Sequence, residues 1–164
     1  MNTSNPGGPR LLSDPPDLTQ YSESEIDAAR SWPAIDLYLR LIEKTPSSLS
    51  DELRLKRHRS WLQCALATYH DRVPAEAVCR FWSHAADELI LRAWRDSGCA
   101  RAGYALIALG KLGSEELNLS SDVDLVAVRP DGSTPDLKAL REFTSLLSEV
   151  TPFGYALRVD LSFR

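Results

Sequence analysis

The sequence is poor in cysteine and contains no long apolar run. Its three cysteines are odd in number and none belongs to a Cys-x-x-Cys pair, so we exclude a disulfide framework and a cysteine-based zinc site. We predict instead that they are small buried residues of a reducing compartment: Cys64, Cys79 and Cys99. No segment reaches the about 20 apolar residues of a membrane helix, and the first ten lack a signal peptide's apolar core. We expect a cytoplasmic protein without a membrane partner.

Neither sign of charge dominates the sequence. It has 19 Lys and Arg against 23 Asp and Glu, which gives a net charge of −4. This balance does not favour a protein that coats nucleic acid or binds anionic membranes. The 43% hydrophobic and 26% charged residues are ordinary for a soluble globular protein and exclude a disordered, collagen-like or coiled-coil chain. At 164 residues, we expect one domain, with or without an appended subdomain.

The first part of the chain is predicted to be helical behind a flexible arm. Residues 1–20 are rich in Pro, Gly, Ser and Asn and are too polar to form a core, so we interpret them as the arm. Apolar residues at helical spacing predict one helix within 22–49, and two antiparallel helices over 50–98, separated by a break at Val73-Pro74. Residues 21–100 are therefore predicted to form a helical subdomain.

The apolar periodicity changes after Ala100. Residues 103–109 form a continuous apolar run that is typical of a buried strand, and 122–128 predict a second strand. Residues 135–150 have the apolar stripe of an amphipathic helix, and 155–163 alternate as a third strand with a polar face. We predict an α+β fold, in which a small mixed sheet with flanking helices follows the helical segment.

The strongest functional signal is a set of aspartates on the predicted strands. Asp122 and Asp124 are two residues apart, so their side chains leave the same strand face with Cα atoms about 6.5–7 Å apart. Asp160 lies on the polar face of the third predicted strand and is placed to add a third carboxylate. Hard divalent cations prefer such oxygen ligands, and two-metal nucleotidyl transfer needs a site of this kind.

A glycine-rich turn precedes the aspartates. Gly110, Gly113 and Ser114 lie between the first predicted strand and a short predicted helix, where glycines allow the backbone to approach a phosphate. Lys111 has two interpretations, as a phosphate contact or as a solvent-exposed side chain. Either motif alone is common at strand ends and turns. The prediction of a nucleotide site therefore depends on finding the strand, the turn and both aspartate strands in order.

Two segments resemble the signatures of a known family, the glutamine synthetase adenylyltransferase and adenylyl-removing enzymes. The segments are GKLGSEELNLSSDVDL at 110–125 and RVDLSFR at 158–164. The resemblance implies the nucleotidyltransferase fold of the polymerase-beta superfamily. It also implies three metal-binding carboxylates: Asp122, Asp124 and Asp160. The predicted nucleotide- and phosphate-binding residues are Gly110, Lys111, Gly113, Ser114, Ser121 and Arg158.

The resemblance further implies a reaction, cofactors and partners. Enzymes of this family attach AMP from ATP to a tyrosine of glutamine synthetase, or remove it with phosphate and release ADP, and so regulate nitrogen assimilation. The implied cofactor is Mg²⁺ or Mn²⁺, the small substrates are ATP or phosphate and ADP, and the implied partners are glutamine synthetase and a nitrogen-signalling regulatory protein. The sequence of the first segment is closer to that of the adenylyl-removing half. Both directions of the reaction, attachment and removal of AMP, stay open.

The chain departs from the family pattern at three places. Ser114 replaces a usual second glycine, Ser162 replaces a usual arginine, and the sequence stops at Arg164, where the family continues. We therefore expect residues 101–164 to form a catalytic core that is incomplete at its C-terminus. Two alternatives remain: an inactive remnant that binds a protein partner, and a stand-alone nucleotidyltransferase that acts on RNA or a small molecule.

A basic cluster lies on the first helix of the 50–98 pair, at Arg54, Lys56, Arg57, His58 and Arg59. One interpretation is contact with RNA or an acidic partner, and the other is a solvated helix face. The three histidines, His58, His70 and His84, lack metal-ligand spacing, so we expect surface or hydrogen-bonded helix residues rather than catalysts.

Overall fold

A computed structural model describes residues 18–129 and 136–163, which form six helices and a three-stranded sheet. The helices are α1 Glu23–Ala29, α2 Pro33–Leu41, α3 Leu49–Tyr69, α4 Ala75–Asp96, α5 Gly110–Gly113 and α6 Leu137–Ser148, and the strands are β1 Ala105–Ala108, β2 Val123–Val128 and β3 Val159–Phe163. The predicted α+β class is confirmed. Residues 1–17 of the predicted arm lie outside the described residues.

The segment before α3 forms two helices, so the prediction of one helix is wrong. Ser22 caps α1 reciprocally with Glu25: the Ser22 hydroxyl accepts the Glu25 N–H, and the Glu25 carboxylate accepts the Ser22 N–H at 2.8 Å. Pro33 is the first residue of α2, a position at which its missing N–H costs nothing. The capping box starts α1 and Pro33 starts α2, so the segment forms two helices.

The antiparallel pairing of α3 and α4 is confirmed. Lys56 and Glu88 form an ion pair of 2.5 Å, and the Cys64 thiol lies 4.0 Å from the Val78 carbonyl oxygen. Residues further along α3 therefore contact residues nearer the start of α4, which is the antiparallel arrangement. Cys64 and Cys99 are buried and Cys79 is half-buried, all as free thiols. In the described part of the chain, no helix combines the length and apolarity needed to cross a bilayer.

Both interpretations of the basic cluster on α3 are wrong for three of its five residues. Arg54, Arg57 and His58 are 0%, 5% and 1% exposed, and only Lys56 and Arg59 face solvent. The reason is that α3 is a central helix, which packs against α1 and α2 as well as against α4 and α6. Polar side chains on such a helix are enclosed on nearly every side.

His58 is held as a neutral ring inside this packing. Its Nε2 lies 2.7 Å from the Phe153 carbonyl oxygen, its Nδ1 lies 3.4 Å from Nη1 of Arg57, and the ring stacks on Tyr38 with centroids 4.4 Å apart. Because a carbonyl only accepts and a guanidinium only donates, the proton must sit on Nε2. Burial lowers the pKa of His58 to about 4.

We expect acid to destabilise the protein through His58. The unfolded ring has a pKa of about 6.5, so between that pH and about 4 the unfolded chain binds a proton that the folded chain rejects. The free energy of unfolding should therefore fall by about 2–3 kcal/mol over this window. Urea unfolding at several pH values measures this slope. A His58→Gln variant keeps a donor for Phe153 but does not titrate, and a slope equal to that of the unchanged protein would contradict the assignment.

The sheet is mixed, as predicted, with strand order β1-β2-β3. β1 is antiparallel to β2, and β3 is parallel to β2. Val123, Leu125 and Ala127 of β2 are buried in the core shared with α4 and α6. The prediction that β1 is a buried strand is wrong because β1 is an edge strand, and alternate residues such as Ile107, 48% exposed, lie on the outer face of the sheet.

The third strand is shorter than its alternation predicts, because residues 155–158 are not part of it. The N–H groups of Ala156 and Leu157 both donate to the Leu147 carbonyl oxygen near the end of α6, each at 2.9 Å. This segment therefore follows α6, and β3 begins only at Val159. The consequence for the site is that Arg158 lies just before the strand.

Candidate functional site

Asp124 and Asp160 lie side by side on the outer face of the sheet. They are direct partners in the parallel register of β2 and β3, where neighbouring strands are about 4.8 Å apart, and both side chains are exposed. The Asp124 carbonyl oxygen also accepts the Leu109 N–H at 2.9 Å, which ties the beginning of the glycine turn to β2. The structure thus brings together two of the three predicted carboxylates.

Asp122 lies just before β2 and has a basic partner. Its carboxylate forms an exposed ion pair with Arg158, with Nε 2.6 Å from Oδ1. Arg158 also donates from Nη2 to the Ser120 carbonyl oxygen at 2.7 Å. Across residues 18–129 and 136–163, no three His, Cys, Asp or Glu side chains come together as a metal site.

The glycine turn packs directly against Asp124. Gly110 and Gly113 begin and end α5, a single helical turn, so the turn itself supplies the predicted short helix. Gly110 has a φ of +54°, and a Cβ there would lie 3.1 Å from Oδ2 of Asp124. A Cβ at Gly113 would lie 2.7 Å from the Ala108 carbonyl oxygen. Only glycine fits these two positions without movement, and its use brings the backbone of the turn up to the carboxylate.

Several polar groups of the turn form hydrogen bonds within it. The Gly113 and Ser114 N–H groups donate to the carbonyls of Leu109 and Gly110 at 3.2 Å, and the Ser114 hydroxyl lies 3.3 Å from the carboxylate of Glu116. Lys111 extends towards the aspartate loop, and its Nζ donates to the Ser121 hydroxyl at 3.2 Å. The Lys111 side chain is exposed, and its role as a phosphate contact stays a prediction.

The loop that carries Ser120 and Ser121 is fixed by contacts that the sequence analysis missed. The Leu117 N–H donates to the Ser83 hydroxyl at 3.1 Å, and Trp61 Nε1 donates to the Leu119 carbonyl at 3.3 Å. The side chain of Asn118 accepts the Ser120 N–H at 3.1 Å. Only the Asn118 contact could have been found from the sequence. An Asn side chain often accepts the backbone N–H of the residue two positions later, in an Asx turn.

The residues present fit a hard divalent cation. The carboxylates of Asp122, Asp124 and Asp160 are exposed and only accept, and the Asp124 oxygen lies in a cradle that a side chain at Gly110 would fill. Lys111 and Arg158 border the carboxylates with positive charge of the kind that binds phosphate oxygens.

Comparison with protein-family models identifies the family of the chain. The family model described as glutamate-ammonia ligase adenylyltransferase matches residues 8–164. The match includes both signature segments and the helices α1 to α4 in front of them. Nearly the whole sequence is thus accounted for by one family. The chain therefore belongs to the glutamate-ammonia ligase adenylyltransferase family.

Proposed function

We propose that this chain carries a magnesium-dependent site for the transfer of an adenylyl group between a nucleotide and a tyrosine of glutamine synthetase. Family membership supports the acceptor protein and the type of reaction. The observation that carries the proposal is the register of the sheet, which sets Asp124 directly beside Asp160 on an exposed face, against a turn where only glycine fits.

Each carboxylate has a separate task in this proposal. Asp122 and Asp124 would hold the cations, and Asp160 would add a third carboxylate to the site. When bound, Mg²⁺ neutralises phosphate charge and favours the attacking oxygen in its ionised form. Lys111 and Arg158 bind the non-transferred phosphate oxygens, with Ser114 and Ser121 as nearby hydroxyl donors. No side chain is needed as a nucleophile, because positioning and charge stabilisation account for the transfer.

The same groups fit either direction of the reaction, and both directions stay open. In attachment, the tyrosine oxygen forms a bond to the α-phosphorus of ATP, the bond to the β-phosphate breaks, and pyrophosphate leaves. In removal, an oxygen of inorganic phosphate attacks the phosphorus of the adenylylated tyrosine. The bond to the tyrosine oxygen then breaks, which yields ADP and free tyrosine. In both cases the aspartates face the same phosphorus.

Isotope transfer tests the proposal in both directions. The protein is incubated with Mg²⁺, ATP labelled at the α-phosphate and unmodified glutamine synthetase, or with phosphate and labelled adenylylated glutamine synthetase. We expect label to enter glutamine synthetase in the first case, or to leave glutamine synthetase as ADP in the second. Neither reaction should proceed in excess EDTA. Absence of both reactions would overturn the proposal in favour of an inactive remnant.

The structure lends no weight to an RNA substrate. The interpretation of α3 as a nucleic-acid contact depends on an exposed basic cluster, whereas Arg54, Arg57 and His58 are enclosed by other elements. Lys56 is exposed but is paired with Glu88. A nucleic-acid surface needs several free cations on one face.

A further inference from the structure

Arg158 holds the loop before β2 by both its backbone and its side chain. The Arg158 carbonyl oxygen accepts the Val123 N–H at 2.8 Å, which starts the parallel pairing of β2 and β3. Its guanidinium spans the Asp122 carboxylate, at 2.6 Å, and the Ser120 carbonyl oxygen, at 2.7 Å. The Arg158 side chain therefore contacts both ends of the 120–122 segment.

The three carboxylates of the site differ in whether they have an ion-pair partner. Asp122, Asp124 and Asp160 contribute three negative charges, yet among the described residues only Asp122 has an ion-pair partner within 4.0 Å. Asp124 and Asp160 are fixed by the strand register, whereas Asp122 lies outside the strand. Asp122 is thus the carboxylate whose direction depends on a side-chain contact, and Arg158 provides that contact.

We propose that Arg158 is a removable counter-ion of the metal site. Without a cation, it neutralises Asp122 and holds the Asp122 carboxylate in the ion pair. When a divalent cation enters, Asp122 rotates to join Asp124 and Asp160, and the released guanidinium turns to the phosphates of the nucleotide. This inference rests on the proposed function, and it makes Arg158 the positioning residue that links cation binding to nucleotide binding.

The proposal predicts opposite effects of one substitution on two ligands. Arg158→Gln removes the competitor for Asp122, so Mn²⁺ alone should bind about two- to fivefold more tightly, the range expected for an exposed ion pair. The same change removes a charged phosphate donor, so a non-transferable ATP analogue with a methylene group between the α- and β-phosphates should bind about tenfold more weakly with Mg²⁺. A purely structural role for Arg158 would weaken both.

The experiment measures free Mn²⁺ by electron paramagnetic resonance and analogue binding by calorimetry, both with the full chain. Arg92→Gln is the matched control, because Arg92 is equally exposed, at 54% of its side chain, and is paired with Asp96 on α4. We expect the control to leave both affinities unchanged. Mn²⁺ affinity that is unchanged or lower in Arg158→Gln would overturn this inference alone, provided that Asp124→Asn still abolishes Mn²⁺ binding. No Mn²⁺ binding to any of the proteins would overturn the proposed function with it.

Discussion

Replacement of Asp124 by asparagine is expected to lower the rate of adenylyl transfer about a thousandfold or more, with little change in the free energy of unfolding. Asparagine keeps the shape of the side chain but removes the charge that attracts a cation, and the loss of several kcal/mol of transition-state stabilisation corresponds to this factor. Asp124 is the most sensitive position because it lies beside Asp160 and also against Gly110.

The rate is measured with labelled ATP and glutamine synthetase, and urea unfolding shows whether the fold is kept. Asp27→Asn is the control, since Asp27 is an exposed carboxylate of α1, a helix that packs against α3. We expect less than a twofold change in the control. An Asp124→Asn protein that keeps a tenth or more of the activity would contradict the assignment of Asp124 to the cation site.

Replacement of Arg54 by methionine is expected to lower the free energy of unfolding by about 3–5 kcal/mol, the range for loss of one partner from a buried charged network. The guanidinium is fully buried and donates to carbonyl oxygens on both sides of it, those of Ser50, Leu146, Glu149 and Gly154. Methionine fills part of the space but donates to none of them. The carbonyls near the end of α6 would then be left without partners inside the protein.

Urea or thermal unfolding measures this effect, with Arg59→Met as the control. Arg59 belongs to the same helix and faces solvent, so its substitution should change the free energy of unfolding by less than about 0.5 kcal/mol. Equal stabilities of the two variants would show that Arg54 does not hold α6 and the following turn to α3.

The functional half of the fold could largely be predicted from local patterns. Alternation over β2 and β3 places Asp124 and Asp160 on polar faces, and the glycine turn lies where the sequence predicts it. These predictions succeed because a two-residue period fixes the face of a side chain whatever the strand pairs with. The neighbouring positions of the two aspartates also required the parallel register, which the sequence does not specify.

The helical half shows where periodicity stops being informative. The apolar residues of α3 do not gather on one face, because the helix is surrounded by α1, α2, α4 and α6. A sequence rule that places arginine and histidine in solvent therefore fails for Arg54, Arg57 and His58. The burial of Arg54 and His58 is made possible by carbonyl groups about 90 to 100 positions further along the chain, those of Leu146 and Gly154 for Arg54 and that of Phe153 for His58.

The partner of Asp122 was equally inaccessible to sequence reasoning. Arg158 and the Ser120 carbonyl that it contacts are 38 positions apart and meet only because β3 adds to β2 in parallel. The strand begins only at Val123, and the Asp122 carboxylate pairs with Arg158, a contact that alternation alone does not predict. The competition between an ion pair and a metal ligand is therefore a property of the tertiary structure.

The central claim, that the aspartates at the edge of β2 and β3 form a cation site, is tested most directly by paramagnetic NMR. Mn²⁺ added in small amounts to the labelled protein broadens the amide signals of residues close to the ion. We predict broadening over residues 110–114, 120–124 and 158–162, which disappears when Asp124 and Asp160 are both changed to asparagine. Broadening confined to other parts of the chain, or broadening that persists in the double variant, would contradict the account.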